Sequence, residues 1–199
     1  MTFYKQIFLL ILVFNFNAVL ADEFENAFDD FGAGSAMQTL PKADLIEFFW
    51  YGCPHCYRME ATLKEAGLHG KVYRVPAVLR GSWLLTAKFY YSLKAMGVVD
   101  EFHSTVFDDI HKANFSLDNI EDIHKFLLRH NLDKAVFMQH FNDKNVDKIA
   151  RDSIQLTRKY SSNGVPAFVV HGRYVTDTDI AGGAKETMNV LKHLLNKKP

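Results

Sequence analysis

Leu45-Ile46-Glu47-Phe48-Phe49-Trp50-Tyr51-Gly52-Cys53-Pro54-His55-Cys56-Tyr57 is the stretch on which the fold turns. Leu45 to Trp50 is an apolar, aromatic run of strand length. Gly52 breaks it, and from Tyr57 to Glu65 the residues are good helix formers, ending near Gly67. Cys53-Pro54-His55-Cys56 therefore lies between a strand and a helix. Residues three apart in a first helical turn have α-carbons roughly 5 Å apart, within reach of a disulfide. Pro54 suits the first helical position, where its missing N–H has no intrahelical partner to lose. Cys53 then sits at the helix N-terminus, where free N–H groups and the positive end of the helix dipole favour a thiolate. His55 adds a nearby charge or an N–H donor. A stabilised thiolate stabilises the dithiol and makes the disulfide a stronger oxidant. Two bland readings compete. A structural bridge over so small a loop restrains the unfolded chain little. A metal site needs further soft ligands, and there is no other cysteine, while His69, His103 and His111 lack zinc spacing. Redox chemistry is the favoured reading, with no metal.

Outward from this centre, Lys71 to Val78 reads as a second strand that Pro76 ends or bulges. From Ser82 to about Tyr160 no convincing strand occurs. Val99, Phe102, Val106, Phe107 and Ile110 recur at helical spacing, as do Ile120, Ile123, Leu127 and Leu128 after a capping arrangement of Asp118 and Glu121. Val146, Ile149, Ala150, Ser153, Thr157 and Tyr160 form a third face. Trp83, Phe89, Tyr90 and Tyr91 read as helical core, and the remaining histidines as surface or helix-end residues. Strands return at Val165 to His171 and, after Gly172, at Tyr174 to Thr176. Gly182-Gly183 precedes a last helix with Met188, Leu191, Leu194 and Leu195 on its apolar face. Met37 to Leu40 reads as a short strand, and residues 22–36 as a loose leader. Neither flanking piece can bury a core alone. The expectation is an α/β domain of residues 22–81 and 161–199, interrupted by an all-helical insertion over 82–160.

The chain has 199 residues, with 23 Lys+Arg against 23 Asp+Glu. Zero net charge without a basic run argues against nucleic acid as a partner. The 48% hydrophobic and 23% charged residues are those of a globular protein, and 17 Phe predict a large aromatic core or an apolar working surface. Residues 1–21 read as a cleavable signal peptide. Lys5 is their only charge, Ile7 to Phe14 is apolar, and Val19 and Ala21 precede acidic Asp22. That apolar run is short for a membrane span and is followed by Asn15 and Asn17. An exported chain without stable membrane insertion follows, in a compartment where a cysteine pair can be oxidised.

The stretch Ile46 to Tyr57, a helical block and then Gly164-Val165-Pro166-Ala167-Phe168 resemble the DsbA thiol:disulfide oxidoreductases of bacterial envelopes. The resemblance covers nearly all of the chain after the signal. It implies a thioredoxin fold, a central mixed sheet flanked by helices, with an inserted helical domain. It also implies a cis Val165–Pro166 bond that faces the redox pair and offers backbone to a bound peptide. A low thiol pKa and an oxidising disulfide belong to the resemblance too, so they are no independent support for it. A carboxylate inside Leu45–Phe49 is unusual, because burying a charge is costly. Glu47, six residues before Cys53, matches an acid the family buries beneath the disulfide to exchange a proton with Cys56. Arg74 and Arg80 receive no role, and Asn114-Phe115-Ser116 carries no expectation despite matching a glycosylation acceptor.

The implied activity is that of a periplasmic dithiol oxidase that needs no cofactor and donates the Cys53–Cys56 disulfide to unfolded exported proteins. A quinone-linked membrane oxidase of the DsbB type reoxidises it. The alternatives are a reductase or isomerase on the same fold, or a peptide-binding holdase without turnover.

Overall fold

A computed structural model describes residues 24–197, so the signal-peptide reading lies outside the described residues. The stretch Leu45–Phe49 is strand β2, buried at every position, after the two-residue strand β1, Asp29–Asp30. It runs through the Trp50–Gly52 turn into helix α1, Pro54–Glu65, with Pro54 opening the helix as expected. A 3-10 turn at His69–Lys71 leads to β3, Tyr73–Pro76. Five helices follow: α2, Trp83–Ala95; α3, Val99–Lys112; α4, Ile120–Arg129; α5, Lys134–Phe141; and α6, Lys144–Tyr160. The chain then returns as β4, Ala167–Val170, β5, Tyr174–Asp177, and α7, Ala184–Asn196.

The sheet order is β1-β5-β4-β2-β3, with β3 parallel to β2 and the remaining pairs antiparallel. Side-chain alternation divides the central strand. Leu45 packs with Met59, Leu63, Phe168, Leu191 and Leu194 under α1 and α7. Ile46 and Phe48 pack with Val75, Val169, Leu156 and Tyr160 on the opposite face. Glu47 and Phe49 point to the same side as Leu45, and Phe49 enters the aromatic core of the helical block beside Tyr51, Tyr90 and Phe107. The excess of phenylalanine is absorbed there, as Phe89, Phe107, Phe126 and Phe137 are almost fully buried.

Several expectations need correction. Met37–Leu40 is a turn closed by Leu40 N–H to Met37 O at 2.9 Å, not a strand. The leader is tied down instead. Asp29 and Asp30 pair with Val175 and Tyr174, the Thr176 hydroxyl donates to Ala27 O at 2.7 Å, and Arg173 forks onto Asp30 at 2.6 Å. The unpaired edge of β5 recruits this segment, and no local periodicity encodes that. The cap of α4 is Asn119, whose side chain accepts from Asp122 N–H at 3.0 Å, one residue after the expected Asp118. On α6, Val146, Ala150, Ser153, Thr157 and Tyr160 are buried, while Ile149 is left exposed at the edge of the stripe.

Candidate active site

Cys53 is the N-cap of α1, in extended conformation, and its carbonyl accepts the first helical bond from Tyr57 N–H at 3.1 Å. Its own N–H donates to Trp50 O at 2.9 Å, closing the tight turn between strand and helix. Trp50 stacks on Trp83 at 4.1 Å, 7° from parallel, and its ring lies across Gly52. A Cβ at Gly52 would fall 2.4 Å from that indole, so the turn requires glycine at this position. The sequence reading took Gly52 only as the strand breaker.

Both cysteines are in the dithiol form. Cys53 is 7% exposed and Cys56 fully buried, so Cys53 presents the accessible sulfur. Its thiol lies 3.4 Å from Val165 O, and the Val165–Pro166 bond is cis, as the resemblance implied. The Cys53 sulfur thus meets in space a loop that lies more than a hundred residues away in sequence. Pro54 and His55 are exposed at the helix start. Arg58 Nη2 lies 3.1 Å from His55 Nδ1.

The two sulfurs are electrostatically opposite. The Cys53 thiol is drawn down to about 6, chiefly by the hydrogen bond from the Cys56 thiol and against partial burial. The N–H groups of Cys56 and His55 at the helix start and the His55 charge add to it. Cys56 goes the other way, pushed well above its ordinary value by burial, then by the Cys53 sulfur and the Glu47 charge. Attack is therefore favoured at Cys53, and Cys56 holds its proton.

Glu47 is fully buried, and neither carboxylate oxygen accepts a hydrogen bond. Burial first and the Glu60 charge second raise its pKa to about 8 despite Arg74. The strand register places Arg74 opposite Glu47, with Arg74 Nε 3.5 Å from Glu47 Oε2. Arg74 also forks onto Glu60, its Nη2 3.1 Å from Oε1 and 3.2 Å from Oε2. His69 and His103 complete the ring around Glu60, at 2.9 and 3.3 Å. These groups hold the Glu60 carboxylate below its usual range against burial.

The structure thus brings Cys53, Cys56, Pro54, His55, Val165 and Pro166 to one rim and sets Glu47 within electrostatic reach of both sulfurs. Sequence reasoning missed Arg74, Glu60 and His103. Glu60 had a usable signal, since it follows Cys56 by four residues and so shares its helical face. Arg74 depends on strand register. His103 is buried, not a surface or helix-end residue, because α3 packs that side against α1 and the sheet.

Known proteins share this fold and much of this sequence. The DSBA-like thioredoxin domain family matches residues 67–194. The thiol:disulfide interchange protein DsbA of Azotobacter vinelandii is 35% identical over 163 residues, 79% of this chain and 75% of its own. That of Pseudomonas aeruginosa is 34% identical over 163 residues, 79% and 76% of the two chains. The crystal structure of Pseudomonas aeruginosa DsbA superposes with a TM-score of 0.73 at 31% identity, covering 85% of this chain and 91% of the other. The NmDsbA1 oxidoreductase of N. meningitidis, at 22% identity and a TM-score of 0.69, shares the fold. Fold, strand–helix redox turn and sequence identity agree: this chain belongs to the DsbA family of thiol:disulfide oxidoreductases, a thioredoxin fold interrupted by a helical insertion.

Proposed function

We propose that this protein is an exported dithiol oxidase that passes its Cys53–Cys56 disulfide to unfolded proteins in the periplasm. The observation that carries the proposal is the opposed acidity of the two sulfurs, with the Cys53 thiol drawn down to about 6 and that of Cys56 raised. A substrate thiolate attacks Cys53. The Cys53–Cys56 bond breaks, a Cys53–substrate disulfide forms, and the bond's electron pair leaves on Cys56. The Cys56 thiolate takes a proton, which the raised pKa of Glu47 makes that carboxyl able to supply near neutrality. A second substrate thiolate then attacks the substrate sulfur, and Cys53 departs as a stabilised thiolate. The substrate has lost two electrons and the enzyme has gained them.

Substrate backbone pairs beside Val165 and Pro166, where main-chain groups discriminate little between sequences. Residues 1–21 direct export, and the domain divides as 22–81 with 161–199 around the 82–160 insertion. A quinone-linked membrane oxidase of the DsbB type restores the disulfide. Among the described residues no helix is long and apolar enough to cross a membrane, which suits a protein that meets that oxidase from the aqueous side.

Redox equilibration against glutathione, paired with thiolate absorbance of Cys53 against pH, tests the reading. An oxidising disulfide with a depressed Cys53 midpoint is expected. A near-ordinary thiol with a strongly reducing disulfide sinks it in favour of a reductase. Cys53→Ala separates turnover from peptide holding: an oxidase loses its activity, a holdase keeps it.

A further inference from the structure

Helix α3 of the insertion grips one residue of the redox turn twice. His103 Nδ1 lies 3.0 Å from the Tyr51 hydroxyl, and His111 Nε2 lies 2.8 Å from the Tyr51 carbonyl. Phe107 sits between them on the same helical face, 5.0 Å from the Tyr51 ring. Tyr51 stands two residues before Cys53. The far side of the His103 imidazole reaches Glu60 Oε1 at 3.3 Å.

The directions of these bonds follow from chemistry. A carboxylate only accepts, so His103 Nε2 carries the hydrogen facing Glu60. The ring is buried among Phe49, Tyr51, Tyr90 and Phe107, which disfavours the imidazolium. Nδ1 therefore accepts from Tyr51, whose hydroxyl burial keeps protonated. The charged groups facing the ring are Glu60 from α1, Arg74 from β3 and His69 from the 3-10 turn. A chain of hydrogen bonds results, from the Tyr51 hydroxyl to His103, to Glu60 and to the Arg74 fork, and the Arg74 charge carries it to Glu47 across 3.5 Å without a hydrogen bond.

We propose that His103 is a positioning residue for the redox pair: from the helical insertion it locks Tyr51, two residues before Cys53, to the Glu60 carboxylate that shares Arg74 with Glu47. Its effect on rate rests on the proton-transfer role given to Glu47 above. Without His103, Glu60 loses a donor and draws the Arg74 fork further onto itself, away from Glu47. Glu47 then keeps its proton to higher pH.

Stopped-flow resolution of a glutathione mixed disulfide on Cys53 by Cys56, followed against pH, reads this out. In His103→Leu the midpoint of the rate profile should rise by about half a pH unit, roughly a twofold loss of rate at the wild-type midpoint and about threefold well below it. His103→Gln, whose amide can donate to Glu60 and accept from Tyr51, should restore the wild-type midpoint. Tyr51→Phe removes one hydroxyl and keeps the ring, and should shift the midpoint upward by less. If His103→Leu does not fold, Tyr51→Phe decides alone. A wild-type profile in His103→Leu with a lowered Tm overturns the proposal, because a packing residue would do the same. Failure of His103→Gln to restore the midpoint overturns it as well. Glu47→Gln in parallel separates the two ideas: an unchanged profile there removes the proton-transfer role of Glu47, whereas a changed profile there with a wild-type profile in His103→Leu overturns the positioning by His103 alone.

Discussion

Glu47 and Arg74 face each other across the parallel β2–β3 pair with 3.5 Å between Arg74 Nε and Glu47 Oε2, yet neither oxygen of Glu47 accepts a hydrogen bond. Arg74 spends its fork on Glu60. Glu47 is left as a buried acid beside a cation that does not neutralise it, and burial together with the Glu60 charge outweighs the attraction.

That imbalance sets a pH dependence for stability. The folded pKa of Glu47 lies above its unfolded value, so folding favours the protonated form. Stability is full below 4.5 and declines as pH rises through about 8. Chemical denaturation of the dithiol form should show a loss of at least about 1 kcal/mol across this window, after allowance for the other titrating groups. Glu47→Gln should flatten the decline. An equal slope in both proteins would remove Glu47 as its source.

Cys53 contributes with the opposite sign. Its folded pKa lies below the ordinary thiol value of 9.0, so its thiolate adds stability to the dithiol form above that value, lost as pH falls through about 6. The Cys56 thiol is the largest support of that thiolate. Cys56→Ala should therefore raise the Cys53 absorbance midpoint by about one unit, while Cys56→Ser retains a hydroxyl donor and raises it less. His55→Leu should produce a smaller rise than Cys56→Ala, because the His55 charge is the least of the named causes. The reverse order would mean that the imidazole, not the neighbouring thiol, controls Cys53.

Arg74 carries two carboxylates. Arg74→Met should destabilise the protein by about 3 kcal/mol or more, because it leaves Glu60 buried and without its arginine partner. The double variant Arg74→Met/Glu60→Gln should recover part of the loss. Equilibrium denaturation of both singles and the double closes the cycle, and strict additivity would show that the pair is uncoupled.

Gly52 has no room for a methyl group beside the Trp50 ring. Gly52→Ala should cost about 1–3 kcal/mol and break the Trp50–Trp83 stack, visible as a change in tryptophan fluorescence. Unchanged emission with unchanged Tm would show that the turn adapts freely.

The redox turn was legible because its signals are local. An apolar run, a glycine, a proline at the first helical position and two cysteines three apart each constrain their own few residues. The helical insertion was legible for the same reason, through the 3.6-residue period of Val99 to Ile110 and Val146 to Tyr160. The leader was not, because Asp29 and Asp30 become a strand only where β5 offers them an edge. His103 was misjudged because nothing within one helical turn records that α3 will lie against Glu60 and Tyr51.

By itself, then, the sequence determined that Cys53 and Cys56 meet at a helix start, while the expectation that Val165 and Pro166 face them came from the family resemblance. Spacing suffices for the two cysteines, because backbone geometry carries residues three apart to one place. Only the tertiary structure decided how far the acidities of those sulfurs are driven apart. That separation depends on burial and on the buried Glu47, beside which β3 and α1 set Arg74 and Glu60. Electrostatic energy follows distance in space, and the chain order of Glu47, Glu60, Arg74 and His103 holds no measure of it.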